Sequence, residues 1–144
     1  MAFAAAAACL AAAASAQSPG RSAWEGVYTS EQAARGGALY NEHCVVCHGA
    51  QLEGVDAGPS LAGGRFMSAW NTIDLGTMQE RIRVTMPLSA PGSLSSQEAT
   101  DILAFILEAN EFPTGELELH RRKAAQAQIV FEARPPEELA SASE

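Results

Sequence analysis

The run Cys44-Val45-Val46-Cys47-His48 constrains this chain more than any other feature. Two cysteines separated by two residues, with a histidine directly after the second, form the attachment signature of c-type haem. The chemistry explains the spacing. Each sulfur adds to one vinyl group of the porphyrin, so the thiols must lie a short turn apart. The next residue then falls beneath the ring, where an imidazole nitrogen can take the proximal position on iron. One covalent haem c per chain is the expectation. Two other chemistries use Cys-x-x-Cys. A dithiol redox site expects a βαβ pattern around it, whereas this neighbourhood reads as helical. Half of a zinc site needs two further ligands, and the chain offers only His43, His120 and Cys9. His43 is adjacent to Cys44, His120 lies in a charged stretch, and Cys9 lies in an apolar leader. Haem attachment leads, with these two as the alternatives.

The leader is residues 1–16, MAFAAAAACLAAAASA, uncharged and ending in the small-x-small signal Ala14-Ser15-Ala16. It is too short to span a bilayer and reads as a secretory signal peptide. It lacks a basic start, so an upstream beginning or an uncleaved anchor is the alternative. The expected location is periplasmic, membrane-tethered if the segment is retained, with no transmembrane segment in the mature chain. Export suits the motif, because haem is attached to exported chains in an oxidising compartment. After cleavage only Cys44 and Cys47 remain, and haem consumes both. The expected organisation is a linker at 17–28, one domain at 29–115 and a charged, partly disordered tail at 116–144, with the compact part reaching back to about Trp24. A core that small is marginal, and a buried porphyrin adds the apolar surface it lacks.

The formal charge is −8, and between Trp24 and Gly115 eleven acids face four arginines. That balance disfavours nucleic acid and anionic membranes as partners. It suits docking to a basic patch on a redox protein, although solubility alone also explains it.

Thr29-Ser30-Glu31-Gln32 reads as a capping box that opens a helix running to about Glu42. Ala33, Gly36, Gly37, Tyr40 and Cys44 share one face, and glycines inside a helix point to close approach of another element. Ser95-Ser96-Gln97-Glu98 is a second capping box. It opens the strongest helix, apolar on most of its circumference at Ile102, Leu103, Phe105, Ile106 and Leu107, and ended by Asn110 and Pro113. The first helix is expected to cross the last at Gly36 and Tyr40. A shorter helix is expected over Leu75 to Val84, after a loop-rich stretch from Gly49 to Gly64. No segment alternates at period two, so the fold class is all-α, with three to four helices around the haem.

Iron held by His48 needs a sixth ligand unless that position stays open. Methionine is common in electron carriers because it stabilises the reduced state. Of Met67, Met78 and Met86, the last is favoured: Pro87 disfavours helix at residue 86, so Met86 should project from an extended segment. Met78 reads as core, and Met67 is the second choice. A ligating histidine needs its other nitrogen fixed, normally by a carbonyl. Pro59, in Gly58-Pro59-Ser60-Leu61, is suitably placed to supply one, with a simple loop turn as the competing reading.

Gly36-x-x-x-Tyr40-x-x-x-Cys44-x-x-Cys47-His48-Gly49, Gly58-Pro59-x-Leu61, Met86-Pro87 and Leu94-Ser95 together resemble class I monohaem cytochromes c. In detail the chain is similar to small bacterial cytochrome domains that occur alone or with quinoprotein dehydrogenases. The resemblance covers about Gly36 to Pro113. It implies thioether bonds at Cys44 and Cys47, axial ligation by His48 and Met86, and a Pro59 carbonyl receiving the His48 proton. It also implies contact of Gly36 and Tyr40 with the terminal helix near Phe105, and a haem-lining role for Leu61. Trp70 and Arg65 are candidates for holding a haem propionate, with Trp70 equally suited to packing on the haem edge. The function implied is electron transfer by a monomer, not an enzyme with its own substrate. Partners would be a quinoprotein dehydrogenase donor or a terminal oxidase acceptor. The rivals are a haem-bearing subunit fixed within a dehydrogenase or oxidase complex and a ligand-binding or sensor protein with an open sixth site.

Overall fold

The computed structural model describes residues 20–134 except Ala57. The leader with Cys9, and the end with Pro135-Pro136, lie outside the described residues.

Helix α1 spans Ser30–His43. Thr29 caps it, its hydroxyl accepting from the Gln32 amide N–H at 3.2 Å. The reciprocal half of the expected capping box does not form. The Gln32 side chain is fully buried and turns inward instead, donating to Asp101 Oδ1 (3.1 Å) and Leu119 O (3.0 Å) and accepting from Leu119 N (2.7 Å). A buried backbone pair at Leu119 must be satisfied, whereas the exposed helix start can use water. Directly after α1, with Cys44 at the junction, the single turn α2 covers Val45–His48.

Helix α3 is Gly64–Trp70, which sequence periodicity does not announce because it is two turns long with glycine at its cap. Helix α4 is Leu75–Thr85, close to the expected span. Asp74 caps it, Oδ1 accepting from Thr77 N at 2.8 Å. Helix α5 is Ser96–Ala109. Both halves of its capping box are made: Glu98 N donates to Ser95 Oγ and Ser95 N to Glu98 Oε2. Its residues from Ala99 to Leu107 are buried except Phe105, which is half-buried, so the helix is covered on several sides.

Helix α1 crosses α5 at Gly36, where even a methyl group would fall on the Asp101 carbonyl. Glycine is required there by contact. One residue on, Gly37 lies under the Phe105 ring, and Tyr40 packs on the same ring at a centroid distance of 5.1 Å. Met78 is buried in the core, as its mid-helix position implies.

The compact unit is larger at both ends than the span 29–115. Residues 17–28 are not a linker where they are described. Ser22 caps a 3-10 turn over Ala23–Glu25, and Ala23, Val27 and Tyr28 are buried. Nor are residues 116–134 a loose tail. Leu119, Gln126, Ile129 and Phe131 are all buried, and Lys123–Gln126 forms a further single turn, α6. Two-residue strands β1 (Arg21–Ser22) and β2 (Ile129–Val130) pair in parallel and join the two ends. Phe131 packs against Phe66 (5.9 Å) and Phe112 (4.9 Å), and Trp24 stacks on Phe112 (4.2 Å). Composition misleads here because the few apolar anchors stand among charged residues with no helical or strand period. The architecture is all-α, with six helices among the described residues, of which four exceed a single turn.

Candidate haem-binding site

The two thiols stand on the turn between α1 and α2. Cys44 is half-buried and Cys47 exposed, and they are not joined in a disulfide. Burial, followed by the neighbouring Cys47, pushes the Cys44 thiol up to about 11. His48 ends α2 and is only 7% exposed. Its Nδ1 lies 2.8 Å from the Pro59 carbonyl oxygen. Proline has no N–H to compete at that position, so the carbonyl is a dedicated acceptor. The tautomer this selects carries its proton on Nδ1 and leaves the Nε2 lone pair free for a metal.

The loop carrying Pro59 is tied back to the motif. Gly54 N donates to His48 O (2.8 Å), Val55 N to Cys47 O (3.0 Å) and Gly58 N to Val55 O (2.9 Å). Gly58 lies so close to the Cys47 carbonyl that any side chain would collide with it. Tyr40 donates to Gly49 O at 2.7 Å, anchoring α1 to the end of α2. Burial raises the Tyr40 phenol well above its ordinary value, with Cys44 and Glu53 adding to the effect.

Asn110, read from sequence only as a helix end, has a larger part. Its Nδ2 donates to Leu61 O (2.9 Å) and Ile106 O (2.8 Å), while its Oδ1 accepts from Gly63 N (3.1 Å). One buried side chain thus joins the end of α5 to the loop that follows Pro59. No sequence signal separates this from an ordinary C-cap asparagine.

Met86 forms the C-cap of α4 with extended backbone, φ −117° and ψ 154°, and is half-buried. Its N–H still donates to Ile82 O at 3.1 Å. Met67, on α3, lines a surface cleft with Asn71, Thr72 and Glu132. Leu61 is half-buried against the core. Trp70 is half-buried and packs on Phe66 at 6.2 Å, whereas Arg65 is exposed. Among the described residues no group of three or more His, Cys, Asp or Glu could hold a metal ion, so a zinc site lacks its ligands there. No βαβ unit that would suit a dithiol oxidoreductase occurs among them either. Two thiols flanking one turn and an imidazole with a single nitrogen engaged fit the attachment side of haem c, and Met86 offers a thioether on extended chain.

The family model for cytochrome C oxidase, cbb3-type, subunit III, matches residues 31–106, more than half of the chain. The chain belongs to this family, and with its all-α fold it is a class I monohaem cytochrome c, a haem electron-transfer protein. In structure it is similar to the sulfane dehydrogenase SoxCD from Paracoccus pantotrophus, with a TM-score of 0.58 and 23% identity over 76% of this chain. The likeness is one of fold, and the chain spans 62% of the length of that structure's chain. No curated protein matches the sequence.

Proposed function

We propose that the chain is a periplasmic electron carrier with one covalently attached haem c, held by Cys44 and Cys47 and ligated by His48 and Met86. The observation that carries this reading is the 2.8 Å approach of His48 Nδ1 to the Pro59 carbonyl. A histidine held in this way is committed to one tautomer and one ring orientation, as a permanent metal ligand must be. When bound, the haem supplies reversible one-electron chemistry between ferric and ferrous iron. The chain's own part is to bind and to hold still. Cys44 and Cys47 anchor the porphyrin as thioethers, His48 is oriented by Pro59, and Met86 is presented from the end of α4. Leu61 and Trp70 supply apolar lining. Arg65, being exposed, suits a propionate at the surface.

No side chain transforms a substrate on this reading, so the protein is not an enzyme in its own right. Val46 is 84% exposed and Cys47 lies beside it, and a redox partner approaches there. The acidic balance of the chain favours a basic docking patch on that partner. A quinoprotein dehydrogenase as donor and a terminal oxidase as acceptor suit a monomeric periplasmic carrier. No helix among the described residues is long and apolar enough to cross a membrane.

The test is the absorbance spectrum of Met86→Ala. The ferric long-wavelength band of a methionine–iron bond should disappear, while pyridine haemochrome analysis still reports one haem per chain. An unchanged spectrum transfers the ligand role to Met67 or His120. Prompt carbon monoxide binding by the native reduced protein would instead establish an open sixth site. Fractionation of intact cells tests the periplasmic location. A second reading, a subunit fixed within a larger oxidase or dehydrogenase, is favoured by the description of the matching family, an oxidase subunit. Purification as a stable monomer, with no tightly bound partner, would exclude it.

A further inference from the structure

Met86 is tethered unequally on its two sides. The chain that follows it, from Leu88 to Ser93, is exposed, and its backbone hydrogen bonds are local: Ala90 N to Pro87 O and Ser93 N to Ala90 O. Nothing in that loop fixes the methionine until Leu94 is buried. The position of Met86 is therefore transmitted through α4, which it caps. A helix rises about 1.5 Å per residue, so the ten residue-to-residue steps from Gly76 to Met86 make a rigid lever roughly 15 Å long.

Two elements hold that lever. Helix α5 lies along one side, with Gln79 Nε2 donating to Ser96 O at 3.3 Å. The other is the C-terminal segment, which packs on the opening turns of α4. A methyl group on Gly76 would stand 2.6 Å from Lys123 O and 3.0 Å from Ala127 N. Lys123 reaches Glu80 across the same contact. Just before α4, Phe131 N donates to Ile73 O and Thr72 N to Phe131 O, both at 2.8 Å. The segment is itself anchored at both ends, by Gln32 at Leu119 and by β1 at Ile129 and Val130. Between them the buried Gln126 donates to Thr100 Oγ1 (3.0 Å) and His120 O (2.7 Å). The family match ends at residue 106, so the whole segment lies beyond it.

We propose that residues 119–131 form a positioning strap that clamps the start of α4 and thereby holds Met86 on the iron. The strap rests on the His/Met reading above, and the two are tested by different variants. Gly76→Ala forces the strap away from α4 while raising the intrinsic helix propensity of α4 itself. Phe131→Ala removes the aromatic anchor of the strap. Both should retain one covalent haem and native helix content. The ferric methionine band should weaken, the reduction potential should fall because the ligand that favours ferrous iron is looser, and added imidazole should bind roughly tenfold more tightly as the open fraction rises. Tyr28→Phe is the stability control, since its hydroxyl bonds to Phe112 O and not to α4 or the strap. It should lower the unfolding midpoint and leave imidazole affinity unchanged. Native imidazole affinity and potential in both strap variants would overturn the proposal, as would an equal rise in affinity in the Tyr28→Phe control. Loss of the band in Met86→Ala together with native behaviour of both strap variants would retain the ligand and reject the strap. A band that survives Met86→Ala defeats the ligand assignment itself.

Discussion

The two ring nitrogens of His48 have different fates because one carbonyl, that of Pro59, faces one of them. That contact depends on a loop whose own hydrogen bonds return to Cys47 and His48, and on Asn110, which grips the loop from the far side. Removing the Asn110 side chain would leave Gly63 N–H and Leu61 O without their partner in a half-buried setting. Leaving such groups unpaired costs about 1–3 kcal/mol. Asn110→Ala should therefore lower the denaturation midpoint without changing the slope of the transition, measured by circular dichroism in guanidinium. Asn110→Asp keeps the acceptor for Gly63 N–H but sets a carboxylate oxygen against the Leu61 and Ile106 carbonyls, and should recover none of the loss.

Among the elements, the crossing of α1 and α5 is set by one missing side chain. At Gly36 the two backbones meet, and the ring of Phe105 fills the space beside Gly37 and Tyr40. Alanine improves an isolated helix by about 1 kcal/mol, but here its methyl group would collide with backbone that cannot rotate aside. Overpacking of a core typically costs about 1–3 kcal/mol, and a collision with backbone lies at the upper end. Gly36→Ala should therefore destabilise the protein by roughly 2 kcal/mol net, read as a lower thermal midpoint. Gly37→Ala, which meets only the Phe105 ring at 3.3 Å, should cost less. The same measurement on both variants separates backbone contact from side-chain contact.

For the molecule as a whole, both tyrosines of the chain are core residues bonded to backbone carbonyls: Tyr28 to Phe112 O and Tyr40 to Gly49 O. Burial, followed by Glu108, pushes Tyr28 up to about 12 from an ordinary 10.0, and Tyr40 moves in the same direction. A raised folded value means that the native state keeps its protons while the unfolded chain loses them. Stability is then full below about pH 10 and falls as pH rises from there through the folded value. A base titration should show little tyrosinate absorbance while helicity persists, then simultaneous appearance of tyrosinate and loss of helix. Early ionisation of one tyrosine in the folded protein would contradict the burial argument.

Residue patterns by themselves determined the attachment motif, the crossing glycine, the second capping box and the three principal helices. These depend on spacing along the chain, on local hydrogen bonds and on an apolar helical face, all of which act within a few turns of sequence. Gln32 marks where that reasoning stops. Its place at the third position of a helix suggested a capping amide, but Leu119 is a buried backbone pair brought to it from far along the chain, and burial outweighs an exposed cap. The segments 20–23 and 116–134 were equally illegible as core, because their anchors Ala23, Leu119, Ile129 and Phe131 follow no period and are brought together only by the packing of elements far apart in the chain. Asn110 and the strap have the same origin. The sequence alone marked the candidate residues for attaching and ligating a haem; only the tertiary structure decided what holds those residues still, because the groups that hold them lie close in space and far apart in the chain.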